Sequence, residues 1–177
     1  ALKGMLPVLT VSATISLCVK TVEPGSVIVV HTQVLVGLIA ILGHMYPCWI
    51  GLRGGKGVAT ALGVAIVLGP WATLVALVVY LLTLATTRIG SLGSLLGASV
   101  FAIVQTMLMV SEGDWSEQWS LSAFTLAVPI MIVYRHRSNI GRILRGEELR
   151  VGERRKQDPV EVNSDSDGEV TPVRDEP

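Results

Sequence analysis

Six apolar stretches, nearly free of charge, follow one another along the chain, and this limits the fold more than any other feature. A helix rises about 1.5 Å per residue, so about 20 apolar residues cross a hydrocarbon layer. The stretches run from Leu2 to Val19, Gln33 to Ile50, Val58 to Leu68, Trp71 to Thr87, Leu92 to Val110 and Trp119 to Tyr134. Half of the 177 residues are hydrophobic and only 16% are charged, whereas soluble domains carry about 25% charged residues. That balance argues against a soluble globular enzyme and excludes disorder over most of the chain. The expected fold is all-α, a polytopic transmembrane helix bundle with six spans.

Charge gives the bundle its sidedness. The 14 basic residues balance the 14 acidic ones, and a nucleic-acid binder would show a basic excess. Residues 1–134 hold only Lys3, Lys20, Arg53, Lys56 and Arg88 against Glu23, Glu112, Asp114 and Glu117. If all six stretches cross, Lys3, Arg53, Lys56, Arg88 and the Arg135–Lys156 segment share one side. Lys20, Glu23 and the acidic Glu112–Glu117 loop take the other. The positive-inside rule makes the basic side cytoplasmic. The third stretch is short and ends at Gly69-Pro70, a helix-breaking pair. Were it to turn back, the Arg-rich tail and the Gly54–Gly57 loop would face opposite sides, so six crossings are expected. Trp71, Trp115 and Trp119 sit near segment ends, as interfacial aromatics do. Small residues such as Ala61, Ala65, Gly93 and Gly97 would let helix backbones approach closely. Residues 1–150 read as the membrane core and 151–177 as a disordered, charged, cytoplasmic tail. Cys18 and Cys48 lie in apolar runs and are expected to be buried, inert thiols. Because residue 1 is Ala within an apolar run, the chain is expected to be an N-terminally truncated piece.

Three polar clusters interrupt the apolar body, all on the basic side. The first is Gly43-His44-Met45-Tyr46-Pro47, leading into Gly54-Gly55-Lys56-Gly57 and the helix that begins at Val58. Glycines leave backbone N–H groups free to curl into an anion nest, and a helix N-terminus adds partial positive charge. The pattern is not a phosphate-binding Walker loop, because Ile50 stands where its first Gly is required. The second is Arg135-His136-Arg137-Ser138-Asn139-Ile140-Gly141-Arg142, followed by Gly146-Glu147-Glu148. His136 and Asn139 share a face if the last helix continues through them. A His near cations can orient or exchange a proton with a hydroxyl. The flanking arginines are also what any stop-transfer anchor carries. The third is Ser91-Leu92-Gly93-Ser94, whose hydroxyls either cap a helix or contact a ligand. Lys3 fits a snorkelling lysine, and His44 an interhelical hydrogen-bonder. No nucleophile elbow, metal-ligand spacing or intramembrane carboxylate pair is present in the sequence. What remains is anion recognition at a membrane face, suited to an anionic headgroup precursor with an acyl chain. A transporter of a phosphorylated small molecule is the alternative, but it predicts an internal repeat and midplane polar groups, and the sequence pattern gives neither.

These motifs resemble those of the bacterial acyl-phosphate:glycerol-3-phosphate acyltransferase family. Gly43-His44-x-x-Pro47 through Gly54-Gly55-Lys56-Gly57-Val58-Ala59-Thr60 is similar to its second signature. Arg135-His136-x-x-Asn139-Ile140-x-Arg142 with Gly146-x-Glu148 is similar to its third. Leu2-Lys3-Gly4-x-x-Pro7 and Ser91-Leu92-Gly93-Ser94 resemble two further conserved segments. The resemblance implies seven helices in the intact protein, of which the first, with its signature, has no counterpart here. It implies acyl transfer from acyl phosphate to the 1-hydroxyl of glycerol 3-phosphate in a bacterial inner membrane, with lysophosphatidic acid and phosphate as products. It implies no metal or other cofactor, and a functional link to an enzyme that makes acyl phosphate. By position, Lys56, His136 and Asn139 are the expected catalytic residues. Lys3, His44, Gly54, Gly55, Gly57, Ser91, Ser94, Arg142 and Glu148 are the expected substrate-binding and supporting residues.

Overall fold

The computed structural model describes residues 2–18, 26–48, 51–52 and 54–153. Arg53 and the tail from residue 154 onward lie outside the described residues, as do Cys18's side chain and the loop carrying Lys20 and Glu23. The regular elements among the described residues are helices: α1 Leu2–Cys18, α2 Val27–Met45, α3 Val58–Leu68, α4 Pro70–Thr87, α5 Gly90–Glu112, α6 Trp119–Arg135 and α7 Arg137–Leu144. By length and composition α2, α4 and α5 can each cross a bilayer, and α3 and α6 are shorter apolar helices. The bundle is apolar on its outside as well as its inside. Leu74, Val78, Leu81 and Leu82 stand exposed along α4, and Trp71 and Trp119 are 72% and 64% exposed at helix starts. Lipid solvates such a surface; water does not.

Local chemistry sets the helix ends. α2 starts six residues before the apolar pattern suggests, directly after Ser26, and stops at Met45 rather than Ile50. Pro47 is the reason for the stop, because the residue before proline avoids the α region; Tyr46 adopts φ −132°, ψ 59°. α3 ends at Gly69 as expected, and Pro70 opens α4, where its missing N–H costs nothing. The last helix does not continue through the third signature. It breaks at His136 (φ −96°, ψ 8°) and α7 begins on a new axis. His136 and Asn139 therefore do not share one helix face; the break, not an i,i+3 spacing, brings them to the site. Cys48 is exposed, not buried, because it follows Pro47 beyond the end of α2.

Close backbone approaches hold the bundle. At Gly4 of α1 a side chain would collide with the Thr60 carbonyl of α3, and at Gly37 of α2 with Val64. Without a hydrophobic driving force between helices in lipid, such packing is what remains to fix them. α3 is only about 16 Å long at 1.5 Å per residue, yet it starts at the end where α2 finishes and reaches Gln105, far along α5, against which Gly69 is packed. α4 then returns to Arg88. The polar clusters that the sequence spreads over about 100 positions thereby meet at one end of the bundle. The chain after α7 folds back onto this end, where the Arg88 carbonyl accepts a hydrogen bond from the Val151 N–H at 2.7 Å.

Candidate active site

Between α3, α4, α5 and α6 lies a cavity of about 590 Å³, within the usual range for small-molecule sites. Its mouth is lined by His44, Lys56, Gly57, Ser91, Ser94 and His136, and its shaft by Ala61, Ala65, Ala76, Gly97 and Ala98. The small residues expected to bring helices together thus also keep a channel open between them.

The glycine loop is held by side chains from elsewhere. The Arg135 guanidinium donates to the carbonyls of Gly54 and Gly55 at 2.8 and 3.0 Å and lies over the Tyr46 ring, 5.2 Å from its centre. Across a trans peptide the carbonyl and the next N–H point oppositely, so engaging these two carbonyls turns the N–H groups of Gly55 and Lys56 away from the guanidinium. Gly57 sits at φ 77° against Met45, a left-handed conformation that glycine adopts without strain. A side chain at Gly54 would strike the carbonyls of His44 and Met45, and one at Gly55 the His44 ring. Lys56 lies exposed at the cavity mouth, and no carboxylate pairs with it among the described residues. The loop is therefore an uncompensated positive site with oriented amides.

Opposite stands a network around Glu148, whose side chain is 8% exposed. Its carboxylate accepts from Ser91 Oγ at 2.6 Å, Asn139 Nδ2 at 2.5 Å and Arg142 Nε at 2.7 Å. Burial alone would raise the carboxyl pKa; the three hydrogen bonds and the Arg142 charge outweigh it and hold it down to about 2. A carboxylate only accepts, so Asn139 must turn its Nδ2 toward Glu148. This leaves its buried Oδ1 without a partner among the described residues. His136, 2% exposed, has Nδ1 2.8 Å from the Ile132 carbonyl. A carbonyl cannot donate, so Nδ1 carries the proton and Nε2 is the lone-pair nitrogen. Burial, with Lys56 adding to it, lowers the His136 pKa below its ordinary 6.5. The mouth thus sets Lys56 beside the His136 ring, and Asn139 lines an adjoining pocket with Arg142 and Glu148.

Glu148 also makes an acid-stability prediction. Its carboxyl has an ordinary value of 4.5 and a folded value of about 2, so its stabilising contribution is complete above 4.5 and lost as pH falls toward about 2. In detergent the unfolding temperature is expected to fall across that interval, and Glu148→Gln should flatten the fall. An equal slope in both proteins would refute the network's role.

The structure brings His44, Gly54, Gly55, Lys56, Gly57, Ser91, Ser94, His136, Asn139, Arg142 and Glu148 to one end. Lys3 is exposed and is not among the cavity-lining residues. Neither serine caps α5, whose N-cap is Ile89; Ser91 donates to Glu148 and Ser94 to the Gly90 carbonyl. Arg142 has its charge compensated by Glu148. Arg135 opens the run that resembles the third signature and also fits a stop-transfer flank, and it was not among the expected site residues. Its signal was its place directly before His136, masked because membrane flanking explains any arginine there.

A helical bundle with lipid-facing sides and a cationic mouth on an apolar shaft defines an integral membrane protein. The glycerol-3-phosphate acyltransferase family model matches residues 1–146, and the chain belongs to that family. It is 49% identical over 118 residues to a glycerol-3-phosphate acyltransferase of Anaeromyxobacter sp. (strain Fw109-5), covering 67% of this chain and 55% of the relative. It is 39% identical over 155 residues to that of Thioalkalivibrio sulfidiphilus, covering 88% of this chain and 67% of the relative. The fold is similar to the crystal structure of PlsY (YgiH), an integral membrane glycerol 3-phosphate acyltransferase, in its glycerol 3-phosphate form. There the TM-score is 0.65 at 34% identity, covering 84% of this chain and 66% of PlsY. A lysophosphatidic acid form of PlsY matches equally well. The chain spans 55% to 59% of the length of several of these relatives.

Proposed function

We propose that the intact protein transfers an acyl group from an acyl phosphate to the 1-hydroxyl of sn-glycerol 3-phosphate, giving lysophosphatidic acid and inorganic phosphate. The observation that carries this reading is a cavity joining a mouth with Lys56, Gly57 and His136 to an apolar shaft. A donor with a phosphate head and a hydrocarbon tail fits both ends at once. The family to which the chain belongs and the glycerol 3-phosphate form of PlsY support the acceptor.

In this reading the Gly54–Gly57 loop and Lys56 hold the donor phosphate. His136 Nε2 and Asn139 Oδ1 accept hydrogen bonds from the glycerol hydroxyls. The 1-hydroxyl oxygen attacks the acyl carbon, the bond from that carbon to the phosphate oxygen breaks, and the departing phosphate takes the hydroxyl proton. The protein contributes proximity and fixed positive charge where negative charge builds up. Glu148 and Arg142 position Asn139 and Ser91. The donor comes from an enzyme that produces acyl phosphate, and the protein works in the bacterial inner membrane with the mouth and the C-terminal tail on the cytoplasmic side.

The test gives the full-length enzyme, in detergent or lipidic mesophase, palmitoyl phosphate and glycerol 3-phosphate and measures phosphate release. Release that does not depend on the acceptor would sink the proposal. Within it, Arg135→Ala is expected to raise the donor KM about tenfold by freeing the loop carbonyls, the worth of a charge-assisted hydrogen bond, with little change in the acceptor KM. Arg135→Lys should recover part of the loss; a uniform drop in kcat in both variants would point to misfolding instead.

A further inference from the structure

We infer that Phe101 and Phe124 form the floor of the cavity and set the length of acyl chain that it accepts. This rests on the proposed donor and goes beyond it, because it assigns selectivity to two residues outside every signature motif. On α5 the lining runs from Ser91 down to Phe101, and on α6 from His136 down to Phe124. At 1.5 Å per residue these are depths of about 15 and 18 Å below the mouth. Between mouth and floor the wall alternates small residues, Ala61, Ala65, Ala76, Gly97 and Ala98, with the larger Leu62, Leu77, Tyr80 and Ile132. At the floor stand two phenylalanines, 7% and 1% exposed.

What lies beyond backs the floor. Gln105 follows Phe101 by one turn of α5, and its buried Oε1, without a partner among the described residues, is packed against Gly69. Thr73, the deepest lining residue of α4, donates its hydroxyl to the Gly69 carbonyl at 2.7 Å. A hydrocarbon end pushed past the phenylalanines meets this packed turn between α3 and α4 and must displace it, which a close-packed interior resists. A chain that stops at the floor keeps its full burial, and one that is longer must fold back or leave sideways into lipid.

The experiment measures kcat/KM of the full-length enzyme for a series of saturated acyl phosphates of increasing length, with glycerol 3-phosphate saturating. Phe101→Ala and Phe124→Ala should each move the optimum to longer chains, improving the long-to-short ratio about fourfold for each methylene newly seated, the worth of burying one CH2. Phe101→Leu, which disturbs the packing less, should move it the same way by less. Ala76→Leu, which adds bulk within the shaft, should move the optimum to shorter chains. The acceptor KM should not change in any of them. Variants that still transfer acyl groups with the wild-type length profile would overturn the floor and show that the tail leaves sideways into lipid. No acyl transfer by the wild type at any chain length would instead overturn the acyl-phosphate reading itself.

Discussion

Replacing Lys56 by alanine is expected to lower acceptor-dependent phosphate release about 100- to 1,000-fold, the usual cost of removing one preorganised charge from a developing anion. Lys56 is suited to this role because no carboxylate pairs with it among the described residues: Glu148 and Glu147 are engaged with Arg142 and Arg145. Its ammonium is held at the cavity mouth by a loop whose own geometry is fixed from outside, by Arg135 and by Met45 beneath Gly57. Removing the charge therefore leaves the scaffold intact, and the unfolding temperature should barely move. Lys56→Arg restores the charge on a bulkier, planar group and should recover only part of the rate. A Lys56→Ala enzyme within twofold of wild type would remove the loop from the mechanism.

His136→Ala is expected to cost about tenfold or more, the worth of a buried hydrogen bond that seats the acceptor, and to change the pH profile. With Nδ1 committed to the Ile132 carbonyl, Nε2 accepts only while the ring is neutral. Burial places the His136 pKa below 6.5, so wild-type activity should be level above that value and fall on the acid side. The fall is a property of this ring; Glu148 titrates much lower, at about 2. In His136→Ala the residual activity should lose this acid limb. A limb that persists unchanged would assign the titration to another group, the donor phosphate included.

Much of the fold is legible before any coordinates are drawn. Long apolar runs, Gly69-Pro70, Pro47 and the basic flanks are local signals, and each acts through the backbone or the solvent at its own position. They gave α3 its full extent and placed the ends of most other helices to within a few residues. The errors arose where a local pattern met a tertiary constraint. α2 runs past its polar residues His31 and Gln33 because Ser120 on α6 satisfies His31, at 2.7 Å, within the bundle. The last helix is interrupted at His136, whose ring is buried at the mouth, and Asn139 beyond the interruption turns to Glu148.

By itself, then, the sequence determined that the chain is a membrane-embedded helical bundle, and which few polar residues stand on its basic side. Both follow from the cost of placing charge and unpaired backbone in hydrocarbon, a cost that depends on residue type and not on partners. Only the tertiary structure decided which of those residues meet. It made Arg135 a clamp on the glycine loop, directed the Ser91 hydroxyl to Glu148, left Asn139 Oδ1 without a partner among the described residues, and placed Phe101 and Phe124 in the lining of the cavity. Hydrogen bonds and packing act over a few ångströms between residues as much as 89 positions apart, and such distances exist only once the helices are set side by side.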